Sequence, residues 1–600
     1  MFLGRFLRTV RYLTIEQLTF RIKYLIKRHL IRLAPEISRK RIQRIAEGLP
    51  VPCLTDERLI KIAQLILTLQ LEVYGDSYEE VTRGKFKILN SVFDFKHPRN
   101  VCWRSDFNEG NNPLRRMNLA YMGYAVPLLA RGKIVDLRLV VDLINSLERQ
   151  NGWSRPGVFG DVWNTYAVSH RLINLLTGLA LYKRAGGQAG TDAETCVLNH
   201  IRFCAAFITK NLERDLQYNH LLKNYVALTV FSAACSSTPR GFLFLKKSIP
   251  KSLKQNILSD GGHAERSPMY HLLALVDVKI LKKSVLFSDH WYPLLEVVLR
   301  KMEKAIGAMT LADGDIALMN DSWLGEVPCE KSLASISEVP SVQALPVTGY
   351  YALKSKEESV VFDCGPCGPK ENAGHAHADF LSFESTFGST RFIVDTGVPT
   401  YTAGSDRNLT RSAASHNGPR LENVEPIEFW KSFRVGRRGS ARPLDMVDFP
   451  EFAPMQVAGL HNGYKHLGIS IGRYVGLWPK AALIVSDLWI GTNPAATADF
   501  LISGDWKIDK EQNFVLDDMT VSVKAAVGTI SRPVPDFHWL RFGIKKSAYR
   551  INVIPEFFCN GARATVIFSF KGSFDMENLS LFRKIETRLE KSILSQLKQF

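Results

Sequence analysis

Between residues 55 and 310, apolar side chains recur at i, i+3, i+4 and i+7. The stretches DERLIKIAQLILTLQLEVY, LVVDLINSLERQ, SHRLINLLTGLALYKRA, VLNHIRFCAAFITKNLE, LLKNYVALTVFSAACS and HLLALVDVKILKKSV all carry this period. Short Gly, Pro, Asn or Asp clusters separate them. That pattern predicts a string of helices packed as hairpins in a bundle, solenoid or toroid. No fixed-period motif of the named solenoid families is present.

Near residue 335 the pattern changes. YYALKS, ESVVFDCG, RFIVDTG, LGISIGRYVGLW, AALIVSDLWIG, FVLDDMTVSVKA and ATVIFSFKG are short, β-branched or aromatic runs bounded by turn residues. They predict an antiparallel sandwich. RKIETRLEKSILSQLKQF predicts a terminal helix. Helices first and strands afterwards imply two segregated domains, 51–335 and 336–600, and no alternating α/β sheet. A chain of 600 residues is too long for one core, which agrees.

The first 50 residues stand apart. In MFLGRFLRTVRYLTIEQLTFRIKYLIKRHLIRL, Phe6, Val10, Leu13 and then Leu18, Ile22, Leu25 recur at helical spacing. Arg5, Arg8 and Arg11 interrupt any signal-peptide core. The expectation is a basic amphipathic helix that packs its apolar stripe on the protein's own body, leaving the basic face in water. The alternative is a peripheral seat on an anionic membrane through residues 1–34. No run approaches the roughly 20 apolar residues of a membrane span. These features point to a cytoplasmic or membrane-peripheral protein, with a periplasmic one still open.

Composition adds a charge argument. Hydrophobic residues make up 46% and charged residues 23%, ordinary globular values that argue against disorder. The net charge is +18, and residues 1–50 hold twelve Lys and Arg against three acids, half of the excess. A basic surplus favours polyanions. No nucleic-acid module is present, so anionic lipid and acidic polysaccharide lead. Of nine cysteines, only Cys364 and Cys367 form a CxxC spacing. Strand-like sequence flanks it on both sides, so it reads as a Gly/Pro turn and not a redox motif.

Several stretches could carry chemistry. QYNHLLKNYVAL places Asn219 and His220 at a helix start, where Asn219 reads as an N-cap. SDGGHAERSPMYHLLAL sets Glu265, Ser267 and Tyr270 between a glycine pair and a helix, with Glu265 and Ser267 as caps. LADGDIALMNDS, with Asp313, Asp315, Asn320 and Asp321, is a polar turn too short for a calcium loop. In GHAHADFLSFE, His375 and His377 are two apart and would share one face of a strand, while Asp379 reads as a structural hydrogen-bond partner. Asp395 and His416 follow. His, Asp and His suit zinc, which often has three protein ligands and an open position.

Four stretches, YNHLLKNYVAL, DGGHAERSPMYH, GHAHADFLSFE and RSAASHNGPRLENVEPIEFWKSFRVGRR, lie in an order that resembles the heparinase II/III-like family of bacterial polysaccharide lyases. The likeness is greatest to members tied to bacterial surface-polysaccharide loci. The resemblance implies an incomplete (α/α) toroid followed by a C-terminal antiparallel β-sandwich, with a cleft between them. It matches Asn219 and His220 to the family's asparagine–histidine pair and Tyr270 to its catalytic tyrosine. His375 matches the histidine that reaches in from the sandwich, and His377, Asp395 and His416 match zinc ligands. Glu265, Arg407 and Arg411 would meet the substrate. Two departures stand out: His416-Asn417-Gly418 where the family often has His-Asn-Thr, and only a loose match, WNTYAVSHRLIN, to its tryptophan-rich helices.

The implied reaction is β-elimination on a uronate-containing acidic polysaccharide, giving a 4,5-unsaturated product. Asn219 would neutralise the carboxylate, His220 or His375 would take the C5 proton, and Tyr270 would protonate the leaving oxygen or, in a syn-elimination, serve as both base and acid. Two alternatives remain. One is a non-catalytic polysaccharide-binding or assembly protein on this scaffold. The other is a glycoside hydrolase with Glu265 and Asp313 as its carboxylates.

Overall fold

The computed structural model describes residues 2–107, 110, 113–329, 340–445, 452–492, 494–570 and 579–597. Three helices come first, α1 (Phe2–Val10), α2 (Ile15–Leu33) and α3 (Pro35–Glu47). The helical domain follows with α4 (Glu57–Tyr74), α5 (Leu114–Tyr121), α6 (Ala125–Leu129), α7 (Ile134–Gln150), α8 (Thr165–Arg184), α9 (Asp192–Lys210), α10 (Tyr218–Ala233), α11 (Leu245–Asn256), α12 (Pro268–Ser284) and α13 (Tyr292–Ile306). The β half contributes α14 (Ser405–Arg411) and α15 (Leu579–Leu597).

Four helices form an inner ring: α4 packs on α8, α8 on α10, α10 on α12, and α12 back on α4. The sequence explains the choice. α8 and α10 carry apolar residues on every side and are buried almost throughout, as helices inside a larger core tend to be. α9, α11 and α13 pack outside the ring, on α8, α10 and α12 in turn. Tyr166 near the start of α8 lies 4.7 Å from His220 near the start of α10. Lys223 of α10 donates to Asp277 of α12 at 2.5 Å. These contacts set α8, α10 and α12 side by side with their N-terminal ends at one rim, where the helix dipoles leave partial positive charge.

The described β half is antiparallel in every strand pairing within its sheets. A five-stranded sheet lies next to the helices. Its strands Tyr350–Lys354, Glu358–Asp363 and Phe383–Phe387 are buried at every position. Toward the toroid, the Ala312 and Leu318 N–H groups donate to Ser359 Oγ and Glu384 Oε2. Behind it stands a nine-stranded sheet, where Gly459 lies so close to Cys364, Leu381 and Phe362 that any side chain would collide. Cover on both faces explains why these strands lack a clean polar–apolar alternation. α15 seals the outer face of the large sheet through Ile585, Leu589 and Ile593 against Leu460, Tyr474 and Leu488. The α+β two-domain expectation, toroid then sandwich, is therefore met. The boundary expected at residue 335 lies outside the described residues.

Two expectations need correction or refinement. α2 does not pack its apolar stripe inward, for Ile22 and Leu25 are exposed and the buried positions are Gln17 and Ile31. Helical period reports a stripe but not which side meets the protein. Cys364 and Cys367 are both buried, and burial pushes both thiols up, Cys367 to about 11, which suits an inert turn. Among the described residues, no helix is long and apolar enough to cross a membrane.

Candidate active site

The rim where α8, α10 and α12 begin faces a loop of the β half. Unusual backbone marks this rim. Gln217 and Tyr218 take φ of 62° and 44°, and Arg266 and Asn320 both take 57°. Positive φ is costly for side-chain-bearing residues and clusters at functional sites. The turn at Gln217 makes that residue the helix boundary, so Asn219 lies inside the first turn of α10 and is not its cap. Ser267 does cap α12, accepting from the Tyr270 N–H at 3.2 Å.

Asp321 organises the loop, and the sequence had given it no special role. Its carboxylate is fully buried and receives both Arg407 nitrogens at 2.5 and 2.8 Å. It also accepts from His375 Nδ1 and His377 Nε2, each at 2.9 Å. Burial alone would raise its pKa, but the Arg407 charge and the two imidazoles outweigh burial and hold it well below the usual carboxylate range. Next to it, Asn320 Oδ1 accepts the His377 N–H and Asp379 Oδ2 accepts the Asn320 N–H. His375 and His377 lie on an irregular loop between strands and not on a strand. They share a side because one carboxylate binds both.

That anchoring fixes chemistry. An ionised carboxylate only accepts, so the neutral imidazole of His375 is the tautomer with its proton on Nδ1 and its lone pair on Nε2. His220 repeats the arrangement, with Nδ1 on Glu213 Oε1 at 3.0 Å. Burial works to lower the His220 pKa, but the Glu213 carboxylate overrides it and the pKa is raised. Both side chains keep some exposure, 12% for His375 and 24% for His220, so both can reach a ligand. The Tyr270 ring sits 4.1 Å from the His375 ring, and its hydroxyl is 3.4 Å from that of Tyr401. Burial, then Tyr401, pushes Tyr270 well above the ordinary phenol range.

Glu265 is 1% exposed, and neither carboxyl oxygen has a hydrogen-bond partner among the described residues. Burial raises its pKa, and its electrostatic neighbours include both His375 and His220. It is therefore not the cap expected from sequence. Asn219 Oδ1 is likewise buried and unpartnered. The structure thus gathers His220, Glu265, Tyr270 and His375 at one rim, with Asn219 next to His220. Arg407 and Arg411, expected to meet the substrate, are held by other protein groups. Both are fully buried, Arg407 on Asp321 and Arg411 on the Ala376 and Ser432 carbonyls. They brace the loop that carries the histidines.

The expected zinc set is not assembled. His416 Nδ1 donates to Asp395 Oδ2 at 2.6 Å, and Asp395 Oδ1 accepts the Gly397 N–H. Asp395 thus backs His416 and does not join it as a ligand. His377 Nδ1 and His416 Nε2 are buried without partners, with ring centroids 5.3 Å apart. Two free nitrogens are fewer than the three donors of the usual zinc site. Among the described residues, no group of three or more His, Cys, Asp or Glu side chains is placed to hold a metal ion. Burial lowers His377 to about 4. His416 is raised to about 9, because Asp395 outweighs burial there.

Residues 338–533 match the family described as heparinase II/III-like, C-terminal. The matched residues lie within the β half. Solved structures carry the likeness across both domains. A crystal structure of heparinase III aligns over 92% of this chain and 92% of its own, with a TM-score of 0.66 and 15% identity. A heparan sulfate lyase HepC mutant from Pedobacter heparinus covers 92% of each chain, with a TM-score of 0.53 and 15% identity. At that identity the likeness is one of fold. The curated relative FtsZ-localized protein C, from Caulobacter vibrioides (strain NA1000 / CB15N), is 26% identical over 243 residues. That match spans 38% of this chain and only 41% of the relative.

Proposed function

We propose that this heparinase-like chain is a polysaccharide lyase that cleaves a uronate-containing acidic polysaccharide, such as a bacterial surface polymer, by β-elimination. The observation that carries the reading is the packing of Tyr270 against His375 at the rim where three inner helices begin. A uronate's C5 proton becomes removable only when the neighbouring carboxylate is neutralised. Helix N-termini favour anions, and the Asn219 amide can donate to the carboxylate. One such preorganised donor contributes about 3 kcal/mol.

An imidazole Nε2, of His375 or His220, takes the C5 proton. The C–H pair forms the new C4=C5 bond, the C4–O4 bond breaks, and O4 takes the Tyr270 hydroxyl proton. A phenol pushed up by burial stays protonated near neutral pH, so Tyr270 fits the acid and an imidazole fits the base. No step depends on zinc. The hydrolase alternative loses ground because Asp313 is paired with Arg391 at 2.6 Å and forms no carboxylate pair with Glu265.

The test is incubation of the purified protein with uronate polymers, following the ultraviolet absorbance of the unsaturated product. One finding favours a second reading: the curated relative is named for its place at FtsZ and not for a reaction. Silence across uronate substrates, with retained binding to one of them, would support a non-catalytic polysaccharide-binding or assembly protein on this scaffold.

A further inference from the structure

α2 has two opposite stripes. Gln17, Tyr24 and Ile31 are seven apart and face the body. Gln17 and Ile31 are buried, Gln17 Nε2 donates to the Glu371 carbonyl, and the Tyr24 hydroxyl donates to the Leu212 carbonyl. Ile15, Ile22, Ile26 and Leu33 occupy the other side and are 84%, 59%, 57% and 70% exposed. Single exposed aliphatics are ordinary, but a continuous stripe of them marks an interaction surface. Exposed cations flank it, Lys23 on one side and Arg32 on the other.

The stripe cannot roll inward. Lys27 Nζ donates to the Lys210 carbonyl and Asn211 Oδ1 of the helical domain. α1 is pinned to the β half, where Arg8 holds Glu428 at 2.6 Å and the Trp430 indole donates to Thr9. The strap therefore spans both domains with its aliphatic side fixed outward.

The occupant must be apolar and anionic at once. An acidic polysaccharide would meet the cations but leave the aliphatics in water. A second copy would set this basic segment, whose residues 1–34 carry a surplus of seven positive charges, against its own like. A bilayer rich in anionic lipid satisfies both demands, with acyl chains under the stripe and headgroups beside Lys23 and Arg32. We propose that α1 and α2 dock the protein peripherally on an anionic lipid bilayer, with α2 lying in the interface plane. This proposal is independent of the cleft chemistry, since none of these residues lines the cleft.

The test is co-sedimentation of the full chain with vesicles of phosphatidylcholine alone or mixed with phosphatidylglycerol. The wild type is expected to sediment with the mixed vesicles and poorly with phosphatidylcholine alone. Ile22→Asp/Ile26→Asp should weaken binding at least about tenfold. Lys23→Glu/Arg32→Glu should weaken it at least about fivefold per cation. All four positions are exposed, so an unchanged melting curve confirms that each variant folds. Three outcomes overturn the proposal: no sedimentation with anionic vesicles, wild-type binding by the Ile22→Asp/Ile26→Asp variant, or a dimer in solution that this variant abolishes.

Discussion

The rings of Tyr270 and His375 meet across the domain boundary with 4.1 Å between their centroids. One comes from the helical domain and the other from the β half, so an acid and a base candidate are matched only in the assembled fold. Tyr270→Phe keeps this ring contact and removes only the hydroxyl. On a uronate polymer that the wild type cleaves, kcat should fall by about 10²–10⁴-fold while the melting temperature stays put. Unchanged turnover would remove Tyr270 from the reaction.

Asp321→Asn should injure both stability and turnover. It leaves Arg407 buried without its counter-charge and loosens the tautomer of His375. Breaking one side of a buried pair costs about 3–5 kcal/mol, readable as a lower denaturant midpoint. Residual turnover should show a loss in kcat larger than any rise in KM, because Asp321 is fully buried and acts through His375. A variant with wild-type stability would show that the four-way contact is not what holds the loop.

Much of the fold was legible because periodicity survives in a linear string. The helices of the first half and the strands of the second follow from it directly. The site was legible only in pieces. Asn219, His220, Tyr270 and His375 stood out as chemical types, and they do lie at one rim. Asp321 did not stand out, because its partners are 54, 56 and 86 positions away and only tertiary packing joins them. Its signal was the polar run MNDS after an apolar stretch, which no local rule separates from a plain turn. The metal expectation meets a similar limit. Ligand-type residues were counted, but whether Asp395 faces a metal or backs His416 is a matter of side-chain direction. α2 shows the same limit, for its inward face is set by Tyr24 and Gln17 finding partners.

Zinc content tests the histidine pair. With two free nitrogens and Asp395 taken up by His416, zinc should copurify at well under one ion per chain, and His416→Ala should change this little. Elemental analysis of both proteins decides it. One ion per chain, lost in His416→Ala, would mean that Asp395 turns to join His377 and His416 as a third ligand.

Acid should release the N-terminal strap before it affects anything that depends on α2 alone. Hydrogen bonding to Arg8 is the main cause that lowers the Glu428 carboxyl from 4.5 to about 2. A carboxylate depressed in the fold stabilises it fully above its unfolded pKa, and that stabilisation drains away as pH falls toward the folded value. The Arg8–Glu428 contribution is therefore complete above about pH 4.5 and fades toward pH 2. Glu428→Gln lacks it at every pH. Hydrogen exchange of residues 3–10 should thus be slower in the wild type than in Glu428→Gln near neutral pH, and the two should converge as the solution is acidified. Residues 17–31 of α2, anchored by Gln17, Tyr24 and Lys27, should show no such convergence. Equal exchange in α1 of both proteins near neutral pH would mean that Thr9 and Trp430 hold the strap without the ion pair.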